Sequence, residues 1–167
     1  MKVLFVGLMG MLVLGGCAGQ NVKEQAQVAP KAMTADTSTK NMASTVDPLS
    51  DPTSILSKRS IYFGYDQYGV NDTYKPALEA HARYLNGHAG ASVVIEGNTD
   101  ERGSSEYNLA LGNRRAENVK KVLALLGAPD KQIEVVSLGK EKPKSTCHEE
   151  SCWADNRRAD IVYNKSK

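Results

Sequence analysis

Histidine and cysteine are scarce in this chain, three of each among 167 residues. The histidines stand apart at positions 81, 88 and 148, whereas a zinc centre needs three or four ligands held together. No cysteine or serine has a histidine at a spacing that would activate it, and no paired carboxylates mark an acid and base. No catalytic set, metal or cofactor is therefore expected. Aromatic residues make up only 6% and the net charge is +2, with no run that interleaves basic and aromatic side chains, so nothing argues for nucleic acid. Long hydrophobic runs are missing as well. The one apolar stretch, Val3 to Leu14, is shorter than the roughly 20 residues a bilayer-spanning helix needs.

That stretch follows a single positive charge, Lys2, and precedes Gly15, Gly16 and Cys17, the three-part layout of a secretory signal. The segment "LGGC" resembles the bacterial lipobox, whose cysteine becomes the acylated first residue of a mature lipoprotein. On that resemblance residues 1–16 are a signal peptide and Cys17 is the lipidation site. Ala18 occupies the place where an Asp would resemble the inner-membrane retention signal, which implies the outer membrane. Residues 17–54 are rich in Ala, Gln, Thr, Ser, Lys, Asp and Pro without a sustained apolar period. Such composition buries too little to offset chain entropy and reads as a flexible tether. Residues 55–167 are then enough for one core and too few for two.

The two remaining cysteines, Cys147 and Cys152, lie five positions apart in "TCHEESCW". In an exported protein a disulfide is the expected pairing. Two thiols and His148 are too few ligands for zinc, and a redox-active pair more often has the tighter CxxC spacing.

Within the domain, "SIYFGYD" alternates as a half-buried strand should, with Ile61 and Phe63 on one side. A helix is predicted from about Thr73, as N-cap, to Asn86, with Tyr74, Leu78, His81, Ala82 and Leu85 on one stripe. His81 on that apolar face reads as a hydrogen-bonded core residue. "ASVVIEGN" is a second strand, and a long helix follows from Ser104 or Ser105 to Gly127. "KQIEVVSLG" and "RRADIVYN" are the third and fourth strands, with a short helix or turn in "EESCWADN" between them. The order β-α-β-α-β-β predicts an α+β two-layer sandwich, a four-stranded mixed sheet with two main helices on one face.

One residue breaks the apolar pattern. Gly112, Arg115, Val119, Val122 and Leu126 share the inward stripe of the long helix, which puts a guanidinium where the core should be. Asp100, in the loop leading into that helix, is the natural partner. The pair reads either as a structural salt bridge or as the two ends of a receptor for an amino-acid zwitterion, acid for the ammonium and guanidinium fork for the carboxylate.

The segment "IEGNTDERGSSEYNLALGNRRAENV", with "IYFGYD" before it and "LGKEKP" and "NRRADIVY" after it, resembles the OmpA-like peptidoglycan-binding domain, and most closely its lipid-anchored members. The resemblance runs from about Ile61 to Tyr163. It implies binding of the diaminopimelate side chain of the peptidoglycan stem peptide, whose far end carries an ammonium and a carboxylate. By matched position Asp100 takes the ammonium and Arg115 the carboxylate, with Phe63, Asp66, Thr99, Asn108 and Leu109 lining the pocket. Gly64 departs from the family, where an acid is frequent, and Ser105 stands where Pro is common. Asn156, Arg157 and Arg158 match a family segment, and read either as ligand-recognising or, as arginines entering a final strand more often do, as satisfying carbonyls or surface acids. The Cys147 and Cys152 pair is not a general family feature.

What the resemblance implies is a lipid-anchored outer-membrane protein that holds the cell wall without covalent bonds and faces the periplasm. It further implies association with TolB and other Tol components in membrane integrity and cell division. A wall-anchoring lipoprotein outside the Tol system is the alternative, and a cell-wall enzyme the remote one.

Overall fold

The computed structural model describes residues 47–164. Cys17, the signal segment 1–16 and residues 17–46 of the expected tether lie outside them. Residues 47–54 form turns tied to the domain, for Arg59 donates from Nη2 to the Leu49 carbonyl at 2.6 Å and Leu56 just beyond them is buried.

Strand β1 (Ser60–Tyr62), helix α1 (Lys75–Gly87), strand β2 (Val93–Asn98), helix α2 (Ser105–Leu125), strand β3 (Ile133–Gly139), helix α3 (Glu150–Asn156) and strand β4 (Arg158–Tyr163) follow in that order. The sheet order is β1-β4-β2-β3. β4 runs antiparallel to both β1 and β2, while β2 and β3 are parallel, because α2 carries the chain back between them. The α+β mixed sheet expected from the sequence is the fold.

Alternation decides which face is covered. Val93 and Ile95 of β2 and Ala159 and Ile161 of β4 are fully buried, and they meet Leu78, Ala82 and Leu85 of α1 and Ala116, Val119 and Leu123 of α2. On the other face Val162 is exposed, as is Val136. His81 is a core residue: its Nε2 donates to the Lys58 carbonyl at 3.1 Å, and its Nδ1 accepts from the Tyr163 hydroxyl at 2.9 Å. Burial, with the Arg59 charge as a lesser cause, holds its pKa below the ordinary value, so the ring stays neutral.

Two helix starts differ in quality. Ser104 caps α2 by accepting the Tyr107 N–H, as predicted. The predicted Thr73 cap is displaced: Asn71 accepts the Thr73 N–H and opens a short 3-10 turn, Asp72–Tyr74, ahead of α1. Asn is the stronger cap of the two, and Pro76 still falls in the first turn of α1.

The contact that matters most for the site is between β2 and α2. A Cβ on Gly97 would stand 1.9 Å from the Gly112 carbonyl oxygen, and a Cβ on Gly112 would stand 2.8 Å from the Gly97 carbonyl oxygen. Helix backbone therefore lies directly on strand backbone, at a distance only glycine allows. One turn further along α2, Arg115 is brought against the end of β2.

Candidate functional site

Arg115 is the largest fully buried side chain described. Its guanidinium donates to three backbone carbonyls: Nε to Gln67 at 2.8 Å, Nη1 to Asn98 at 2.8 Å and Nη2 to Gly64 at 3.2 Å. The Phe63 ring lies 5.2 Å from its central carbon. The direct Asp100 to Arg115 salt bridge considered above does not form; among the described residues Arg115 has no salt-bridge partner. A guanidinium has five N–H donors, and three are spent on carbonyls. Burial pulls its pKa down to about 10, against which the Asp100 charge pushes back. At neutral pH it remains a buried cation.

Asp100 is also buried and has other partners. Arg102 binds it twice, Nη2 to Oδ2 at 2.6 Å and Nε to Oδ1 at 3.3 Å, and the Arg102 backbone N–H adds a bond to Oδ1 at 3.2 Å. Arg157, buried behind it, donates to Oδ2 at 3.4 Å. Burial pushes the carboxyl pKa up, but the Arg102 hydrogen bonds and charge, with Arg157, outweigh it and hold it below the ordinary value. Asp100 is thus an anion at neutral pH.

Both residues line one cleft of about 110 Å³. Thr99 and Asn108 lie at its wall, and Asp66 and Tyr107 close another side, with the Tyr107 hydroxyl bonded to the Asp66 carboxylate. Asp66 adopts a positive φ of 54°, in the turn whose Gly64 and Gln67 carbonyls hold Arg115. Leu111 supplies the apolar surface. The cleft offers a cation and an anion around a space for a small molecule, which suits a dipolar ligand.

Two expected lining residues are not in the wall. Leu109 is 52% exposed, because it sits about 120° around the helix from Arg115, and its carbonyl accepts the Ser137 hydroxyl instead. Phe63 is buried beneath Arg115 and supports it. Asp66, Thr99, Asp100, Asn108 and Arg115 do come together. Sequence reasoning left out Arg102, Tyr65, Tyr107 and Leu111. Tyr107 and Leu111 carried a signal, standing eight and four residues before Arg115 on the same helical side.

The Asp100 side rests on α3. Glu150 accepts from Arg157 Nη2 at 2.5 Å, and Arg157 Nε donates to the Phe63 carbonyl. The Arg102 guanidinium lies between the rings of Tyr65 and Trp153, at 4.3 and 4.2 Å, and Trp153 Nε1 donates to Glu101 at 2.8 Å. Asn156 bridges the preceding loop, accepting the Lys144 and Ser145 N–H groups and donating to the Ser145 carbonyl. Arg158 binds Asp160. Asn156 and Arg158 accordingly serve structure, while Arg157 reaches the cleft through Asp100. Cys147 and Cys152 form a disulfide, as expected.

The OmpA family matches residues 62–163, a span that contains the whole cleft. The peptidoglycan-associated lipoprotein of Pasteurella multocida is 47% identical over 104 residues, 62% of this chain and 69% of that protein. The protein of the same name from Pseudomonas putida is 39% identical over 156 residues, 92% of this chain and 91% of that one. The crystal structure of the peptidoglycan-associated lipoprotein from Burkholderia pseudomallei is 58% identical with a TM-score of 0.70, covering 71% of this chain and all 100% of that one. The C-terminal domain of Helicobacter pylori MotB, 20% identical with a TM-score of 0.59, shares the fold. The chain belongs to the OmpA family, with the peptidoglycan-associated lipoproteins as its curated relatives.

Proposed function

We propose that this protein binds peptidoglycan without covalent bonds, through the free end of the diaminopimelate side chain, and through its acylated Cys17 ties the outer membrane to the cell wall. The observation that carries the reading is the state of Arg115: a buried cation, no carboxylate against it, two N–H donors beyond its three carbonyl bonds, and a place in the same cleft as Asp100. A ligand carboxylate supplies the missing counter-charge, and bidentate pairing is what a guanidinium does best. A ligand ammonium at Asp100 joins Arg102 on an anion with more than one acceptor position free of protons. The names of the relatives support peptidoglycan as the polymer bound.

Co-sedimentation with purified sacculi tests this reading. The protein pellets with diaminopimelate-containing sacculi, and Arg115→Met leaves most of it in the supernatant. Equal pelleting of parent and variant contradicts it. Partnership with TolB and other Tol components, in membrane integrity and division, rests on the family resemblance and extends the proposal. Capture of the intact protein from crosslinked cells brings TolB down with it; capture without TolB favours a wall anchor outside the Tol system. Turnover of purified muropeptides by the protein overturns the binding-only reading.

A further inference from the structure

We infer that the Cys147–Cys152 disulfide is a positioning element of the ligand cleft, fixing the aim of Asp100 through α3 and the two arginines that grip it. The inference rests on the binding reading above and adds to it a determinant of affinity outside the cleft.

Helix α3 has little else to stand on. It is seven residues long, begins at Glu149 without a side-chain cap, and buries only Asn156. None of its residues belongs to the hydrophobic core. A helix so short has no stability of its own, so its position depends on tertiary ties. Cys152 lies inside the helix and Cys147 in the loop before it, so their bond closes the segment that leads into α3. The other ties are the Asn156 bridge at the far end, the Ser145 hydroxyl donating to Asp155, the pairing of Glu101 with Trp153 and with His148, and the contacts of Glu150 and Trp153 with Arg157 and Arg102.

These ties converge on the cleft. Glu150 holds Arg157, and Arg157 reaches Asp100. Trp153 covers one face of the Arg102 guanidinium, and Arg102 grips Asp100 at 2.6 Å. Every side-chain donor to the Asp100 carboxylate is therefore steadied by a residue of α3. Loosening the start of α3 loosens both arginines while leaving Arg115, held by carbonyls and packing, in place.

Opening the bond is a two-electron step. A dithiol reductant attacks one sulfur through a thiolate, its second thiol closes it to its own disulfide, and the two electrons and two protons it gives up leave Cys147 and Cys152 as thiols. Both cysteine-bearing segments are at the surface, so the bond is reachable.

The test uses the full chain in detergent, in three forms: oxidised, reduced with a dithiol, and as the Cys147→Ser, Cys152→Ser double variant. Two quantities are read, the affinity for a diaminopimelate tripeptide and the titration of the Asp100 carboxyl by NMR. The expected result is a Kd weaker by roughly threefold to tenfold in both opened forms, the size of a partly lost charge-assisted network. With it comes an Asp100 titration shifted upward, while the amide spectrum of the β2–α2 core stays close to the oxidised form. A staple that served stability alone would lower the unfolding midpoint and leave Asp100 unmoved, which overturns the inference. Equal Kd in all three forms overturns it too. If the oxidised protein does not bind the tripeptide at all, the binding reading fails, and the Asp100 titration still decides whether the disulfide positions that carboxylate.

Discussion

The two sides of the cleft are built by different physics. Arg115 stands on packing: α2 lies backbone to backbone on β2 at Gly97 and Gly112, the core closes behind it, and neutral carbonyls receive its N–H groups. Asp100 stands on charge: two arginines hold it, aromatic rings and a carboxylate hold them, and the short helix beneath has no share in the core. Packing gives a fixed point that salt leaves alone. Charge networks near a surface give a point that can be adjusted, and lost, one interaction at a time.

Breaking the packed side has the largest effect. Gly97→Ala places a Cβ 1.9 Å from the Gly112 carbonyl oxygen, a clash with backbone that no rotamer relieves. The expected cost is about 3 kcal/mol, at the upper end for overpacking, read by urea unfolding, and ligand binding falls with it because Arg115 is displaced. An unchanged midpoint would mean that the helix does not sit this close. Arg115→Met comes next. It fills similar volume but abandons the carbonyls of Gly64, Gln67 and Asn98; only the Asn98 bond is fully buried, so the loss of that one donor, at ~1 to 3 kcal/mol, sets the cost. We expect about 2 kcal/mol in unfolding and complete loss of ligand binding.

Asp100→Asn sharpens the contrast. It keeps the shape, removes the anion, and leaves Arg102 and Arg157 facing a neutral amide. The expected stability change is about 1 kcal/mol, since part of the network is open to solvent, with binding weakened more than tenfold through loss of a charge-assisted contact to the ligand ammonium. The carboxyl pKa is depressed in the folded state, so its contribution is present above the unfolded value near ~3.9 and lost as pH falls through the folded one. Stability at acidic pH should thus be less sensitive in Asp100→Asn than in the parent.

The smallest effect tests the core itself. His81 is held neutral by burial, so the unfolded chain takes up a proton that the folded chain refuses. Its contribution is full above the unfolded pKa near ~6.5 and declines as pH drops below it. His81→Gln should flatten unfolding free energy between neutral and mildly acidic pH; an unchanged pH slope would show that another group carries it.

Much of this was legible in the sequence where the reason is local. The stripe Leu78, His81, Ala82 and Leu85 follows from helical period alone, and so does the inward face of Arg115. The partner of Arg115 was not legible. Its acceptors are carbonyls in a turn 48 and 51 positions earlier and at a strand end 17 earlier, and carbonyls carry no residue-type signal. Asp100 misled for a related reason: proximity to the helix start suggested Arg115, whereas a local turn delivers Arg102 and the sheet order delivers Arg157. Leu109 was placed by matched position, whereas its helical angle from Arg115 puts it on an exposed side, outside the wall of the cleft.

The central claim is that an unmatched buried guanidinium and a nearby anion read the two charges of one side chain. Calorimetric titration of the protein with paired tripeptides, one ending in diaminopimelate and one with lysine in its place, tests it most directly. The lysine peptide keeps the ammonium and lacks only the carboxylate proposed for Arg115. A site built to bond that group should reject the analogue by orders of magnitude, so the account predicts clear binding of the diaminopimelate peptide and little or none of the lysine peptide. Equal affinity for the two would contradict it and return Arg115 to a purely structural role.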